Sequence, residues 1–142
     1  MTFPIDRFEN VEQVGGIISA TLDNGSARGQ RVALVNTGGG LRYTVALDRG
    51  ADLVHAHHNA DALAYLTQNR IKAPSHAHHF DAEWLAGWPG GMLTTCGPLH
   101  FGHPRTEQGQ PTGLHGHFSN QPAELTELTN PDPQLGQPVM RI

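Results

Sequence analysis

Three features of the sequence predict an all-β fold of short antiparallel strands. Gly (17) and Pro (10) are abundant among 142 residues, and both favour turns over long regular elements. Only 15% of residues are charged, too few for a helical bundle or coiled coil, where Glu and Lys dominate. From Gly16 onward, apolar runs of strand length alternate with turn signals.

Taken in order, residues 17–22 form the first strand candidate, followed by Asp23-Asn24-Gly25, a hairpin turn signal. Residues 31–36 run into Thr37-Gly38-Gly39-Gly40, which lacks the Gly-Lys-Ser/Thr ending of a phosphate loop and reads as a strand connection. In residues 41–47, alternation puts Leu41, Tyr43, Val45 and Leu47 on one face and Arg42, Thr44 and Ala46 on the other. Residues 51–55 read as a further strand, and 62–67 as a short strand or a single helical turn. Residues 81–88 predict a short helix capped by Asp81 and stopped by Pro89-Gly90-Gly91. Its Trp84 and Trp88, four apart, share one face, where core packing is the commoner role and stacking on a sugar ring the rarer one. Residues 92–96 are a strand candidate. Residues 97–122 hold five Gly and four Pro, which predicts no regular element of any length. Residues 123–128 alternate again, and 138–142 look like the start of a strand. No Pro/Ser-rich linker divides the chain, so residues 1–142 are read as a single domain, within the usual size of about 100–200 residues.

Composition excludes several functions. The formal net charge is −4, with one Lys and eight Arg, so no basic face is present to displace counterions from nucleic acid. No stretch reaches the roughly 18–20 apolar residues of a membrane span. Residues 1–7 lack the basic and apolar regions of a signal peptide. Cys96 stands alone, so no intrachain disulfide forms, which fits a reducing cytoplasm.

Ten histidines are the most conspicuous feature. They fall into four groups: His55/His57/His58, His76/His78/His79, His100/His103 and His115/His117. On a strand, an H-x-H pair turns both rings to one face, so two such pairs would supply metal ligands, as in a cupin-like metal enzyme. The carboxylate after His115-Gly116-His117 is Glu124, later than the cupin pattern places its own, and the surrounding Gly and Pro suggest a loop. No metal centre is therefore assigned, and the H-A-H-H stretches are read as polar strand or loop residues. Cys96 is read as a small buried residue rather than a nucleophile paired with His100 or His115. A non-catalytic interaction module with incidental histidines is the remaining alternative.

Three segments in order carry a resemblance: Asp48-Arg49-Gly50-Ala51-Asp52, Gly90-Gly91-Met92-Leu93-Thr94-Thr95-Cys96-Gly97, and Gly113-Leu114-His115-Gly116-His117-Phe118-Ser119-Asn120-Gln121-Pro122-Ala123. Together they resemble the aldose 1-epimerase (galactose mutarotase-like) superfamily, in particular a poorly characterised bacterial branch with D-R-G-x-D, L-T-T-C-G and G-L-H-G signatures. The resemblance implies an antiparallel β-sandwich with a concave sugar-binding face and no cofactor. It implies interconversion of sugar anomers, in which an acid and a base on opposite sides open the ring. His115 matches the L-H-G histidine that helps hold the ring oxygen and is the catalytic candidate. Arg49, His100, Asn120 and His117 are the substrate-binding candidates, with a structural ion pair to Asp48 or Asp52 as the other reading of Arg49 and loop bracing that of Asn120.

Two departures qualify what carries over. His117 stands where the branch has Arg, replacing a fixed five-donor fork by at most two donors. The family's acid His and basic Glu lie downstream of the L-H-G loop, whereas residues 124–142 hold only Glu124, Glu127 and Asp132 as carboxylates and no His. The chain is accordingly expected to be the N-terminal portion of such a sandwich, binding sugar without the catalytic pair. Uncovered sheet edges are expected to favour self-association or a partner chain.

Overall fold

The computed structural model describes residues 3–142, except the side chain of His76. Its centre is a five-stranded antiparallel sheet in simple sequential order. The strands are β1 (Gly16–Thr21), β2 (Arg31–Asn36), β3 (Leu41–Ala46), β4 (Asp52–His58) and β5 (Asp61–Ala62). Two small pairs flank it: β6 (Tyr65–Leu66) with β7 (Gly90–Gly91), and β8 (Arg105–Glu107) with β9 (Gln110–Thr112). One short helix, α1 (Trp84–Gly87), completes an all-β fold of the expected class.

Both faces of the central sheet carry apolar packing. On one, Ile17, Ala33, Val35, Val45 and Leu47 form a buried cluster, over which Leu125, Leu128 and Met140 fold. On the other, Ala46 and Val54 pack with Ile71. The alternation read in residues 41–47 thus sorts the faces, but the second face is solvated only in part: Arg42 is exposed, whereas Thr44 and Ala46 are buried. That second packing is local, and Ile18 (61% exposed) and Leu34 (40%) remain open nearby.

A β-bulge shapes β4. The ladder steps from Tyr43↔Ala56 to Val45↔Leu53, so Thr44 stands opposite both Val54 and His55. Such an extra residue re-aims side chains. Val54 joins the core with Ala46, while His55 and His57 line a shallow cavity over Ile18, Leu34 and Thr44.

Several elements differ from expectation. β1 and β2 form the antiparallel hairpin that Asp23-Asn24-Gly25 signals, but through a longer loop with a 3-10 turn at Gly25–Ala27. The strand expected at 51–55 runs on to His58, and residues 62–67 divide between β5 and β6. The helix is shorter than 81–88. Glu83 precedes it, and Asp81 has φ 43°, the wrong backbone region for a capping residue. Residues 92–96 form no strand; Leu93 makes one isolated bridge to Leu53. Within 97–122, the β8–β9 hairpin forms where no element was expected. Gln108 (φ 48°) and Gly109 (φ 78°) both take the left-handed turn conformation that a two-residue hairpin needs. Residues 123–128 and 138–142 stay irregular, because they lie across the sheet as a cover rather than along its edge.

The edge of β1 is partly closed by a side chain. Asn130 Nδ2 donates to Ile17 O at 2.9 Å, and Asn130 Oδ1 accepts from Ile17 N at 2.6 Å. One amide thus stands in for a neighbouring strand at this residue. Asn130→Ala removes both bonds and is expected to lower stability by about 1–2 kcal/mol, read as a lower urea midpoint at unchanged m-value.

Candidate functional site

The three motif segments, far apart in sequence, meet around one buried ion pair. Arg49 Nε lies 3.5 Å from Asp52 Oδ2, and both side chains have 0% exposure. The contact is long for a hydrogen bond and holds by charge. Asp52 Oδ1 meanwhile accepts from Thr95 N (2.6 Å) and Thr95 Oγ1 (2.7 Å) in the second segment. Arg49 Nη1 donates to Asn120 Oδ1 at 3.3 Å in the third. Gly50 adds a backbone tie, its N–H bonding Gln121 O at 2.8 Å. Its φ of 59° suits glycine, and a Cβ there would sit 2.6 Å from Thr95 Oγ1 and 2.8 Å from Phe118 O. The neighbouring Asp48 takes a different partner, Arg31, whose Nε donates to it at 2.8 Å.

Burial dominates the electrostatics here. It pushes the Arg49 pKa down and the Asp52 pKa up, partly offset by their mutual attraction and, for Asp52, by the two bonds from Thr95. Arg49 remains the cation because a guanidinium does not deprotonate in proteins. Cys96, beside this centre, has its thiol pushed up by burial and then by Asp52, which disfavours the thiolate a nucleophile requires.

His115 braces the same loops. Its Nδ1 accepts from Gly102 N at 3.2 Å, and its backbone bonds Gly102 O and Gly97 N. With Nδ1 accepting, the neutral ring carries its proton on Nε2. The ring meets Trp84 edge-on at 5.1 Å and Phe101 at 5.0 Å, and its pKa is lowered by burial, then by His100 and His103. Trp84 and Trp88 share a face as expected, stacked at 5.6 Å, and Trp84 Nε1 donates to Ser119 Oγ at 2.6 Å. His78, next to Arg49, is held low by burial and by the charges of Arg49 and Lys72, against a smaller opposite effect of Glu83.

Beside these loops a groove of about 930 Å³ opens between the β8–β9 hairpin and residues 97–100 and 116–121. Its walls include His100, Glu107, Gln110, His117, Phe118 and Gln121. Of the residues read from the sequence, His100 and His117 line it, whereas Arg49, His115 and Asn120 lie in the supporting loops. Asn120 serves as a brace, accepting from Arg49 and donating to His78 O at 3.4 Å. Sequence reasoning did not single out Glu107, Gln110 or Phe118. The first two sit on the unexpected hairpin, and Gln108-Gly109 was the available signal for it. Among the described residues, no three His, Cys, Asp or Glu side chains converge where a metal ion would be held. No helix among them is long and apolar enough to cross a membrane.

A family model described as a domain of unknown function, DUF4432, matches residues 27–141. No curated protein matches the sequence. The fold is similar to the 1.90 Å crystal structure of a candidate aldose 1-epimerase from Klebsiella pneumoniae subsp. pneumoniae MGH 78578, with a TM-score of 0.64 and 24% identity over 75% of this chain. The match spans 28% of that protein's length. The likeness establishes an epimerase-type antiparallel β fold.

Two outcomes follow from the buried centre. Arg49→Met strands Asp52 without its counter-charge and is expected to cost about 3–5 kcal/mol, with Arg49→Met/Asp52→Leu costing less than the sum of the two single changes. A double-mutant cycle by denaturant unfolding measures this. Stability also depends on pH: His55, His78 and His115 are all held below the ordinary value of 6.5, burial being the largest cause. The unfolded chain binds those protons first, so their contribution is complete above pH 6.5 and is lost as pH falls through it. Asp52, raised from 3.8, acts oppositely, its contribution declining as pH rises above that value. Calorimetry from about pH 7.5 to 5.5 is expected to show a falling Tm, with a shallower slope in His78→Asn.

Proposed function

The chain belongs to the DUF4432 family, and from its epimerase-type fold and the groove beside its motif loops we propose that it binds a sugar. The observation that carries this reading is the make-up of the groove. Its volume falls within the range of small-molecule sites, about 300–1,000 Å³. Phe118, 44% exposed, offers a ring face to the apolar side of a pyranose. Gln110 and Gln121 each present a donor and an acceptor, the pattern that matches a row of hydroxyls. His100 Nε2 faces His103 O at 2.9 Å, which fixes its tautomer with the proton on that nitrogen.

In epimerase chemistry a carboxylate takes the proton of the anomeric hydroxyl while an imidazole protonates the ring oxygen, so the bond between the anomeric carbon and the ring oxygen breaks and recloses on either face. His115 does not line the groove and contributes through the loops, its Nδ1 accepting from Gly102 N and its carbonyl from Gly97 N. Arg49 and Asn120 contribute by holding residues 116–121 in place. Glu124, Glu127 and Asp132 do not line the groove, and Glu107, the one carboxylate among its described lining residues, is paired with Arg105, so the reading is sugar binding.

Titration of a panel of neutral aldoses, followed by NMR, is expected to move the resonances of Phe118, Gln110 and Gln121. Phe118→Ala should weaken binding about tenfold, consistent with the roughly 0.5–1.5 kcal/mol of an aromatic face contact. A folded sample in which no aldose perturbs those residues would rule the groove out. His115→Asn keeps an acceptor where Nδ1 accepts, and Asn tolerates the φ of 57°. It is therefore expected to fold normally while slowing any anomer exchange the wild-type chain supports.

A further inference from the structure

We propose that the groove selects uncharged sugars over sugar phosphates and that Glu107 sets the selection, an inference that rests on the sugar-binding reading. Among the described residues that line the groove, none is Arg or Lys, and Glu107 is the one carboxylate. The remaining polar lining is amide, hydroxyl and imidazole, groups that satisfy hydroxyls but offer a phosphate no permanent counter-charge. The nearest cation in the hairpin is Arg105, two residues earlier on β8 and so on the same face of the strand. Its Nη2 is engaged by Glu107 Oε1 in an ion pair. Glu107 therefore acts twice: its carboxylate repels an incoming anion, and it holds the guanidinium that would otherwise attract one. The tight turn at Gln108-Gly109 follows directly on this pair, of which Glu107 lines the groove and Arg105 does not. On the opposite wall His117 presents an imidazole rather than a permanent cation.

The expected discrimination is a matter of like charge at a few ångströms, partly screened by water and salt. The test is calorimetric titration at low ionic strength and about pH 8, well above the ordinary imidazole range. D-glucose and D-galactose are compared with their 6-phosphates. Wild type is expected to bind a neutral sugar at least about tenfold more tightly than its phosphate. Glu107→Gln, which removes the carboxylate and frees Arg105, should shrink or invert that ratio by about tenfold, and Glu107→Gln/Arg105→Ala should restore much of it. The Arg105 and Glu107 side chains are 57% and 43% exposed, so thermal melts should lie close to wild type. Equal or tighter binding of the phosphate by wild type, or a ratio unchanged in Glu107→Gln, overturns the selectivity while leaving sugar binding intact. Binding of neither ligand by the folded wild type overturns the sugar reading itself, and this proposal with it.

Discussion

The buried pairing of Arg49 with Asp52 is the constraint on which the loop half of the molecule depends. Neither charge is tolerable there alone, since taking an ion out of water costs several kcal/mol even after relaxation. Each is therefore obliged to recruit partners, and the partners lie in distant segments: Thr95 for the carboxylate, Asn120 for the guanidinium. Irregular chain between residues 92 and 123 has little regular backbone pairing to define it, so these charge-assisted contacts do the work that a ladder performs elsewhere. They fix the loops, and the loops form one wall of the groove.

That division explains what was legible in the sequence. The central sheet was readable because β1, β2 and β3 carry β-branched and apolar residues at strand spacing, and hydrophobic burial then sets register. The antiparallel class was therefore evident from Ile17, Val35 and Val45. Elements made of few residues were not readable. Nothing in Met92–Cys96 distinguishes a strand from an extended segment tied down through Thr95, and nothing in Ala123–Leu128 shows that Leu125 and Leu128 pack across a face. Pro111, which argued against a strand, is accommodated in the two-stranded β8–β9 hairpin opposite Thr106.

The site was half legible for a related reason. The motif segments named residues that matter, but residue identity does not separate a side chain that supports from one that lines. Arg49 and Asn120 became struts because burial enforces pairing, while His100 and His117 reached the groove through loop geometry. Glu107 was invisible because its importance comes from two neighbours, Arg105 and the turn after it. A charge on the surface carries meaning only when the concavity beside it is known.

The amide of Asn130 that seals the edge at Ile17 also imposes an order of events. The two residues are 113 positions apart, and closing so long a loop is paid in chain entropy before any contact returns it. During synthesis the hairpins of β1 to β4 can assemble from local contacts long before residue 130 exists. For that interval the rim of β1 has an unsealed backbone next to the exposed Ile18, the arrangement that invites pairing with another chain. The nascent molecule is thus most prone to pairing along this rim until residue 130 has been made and its amide reaches Ile17.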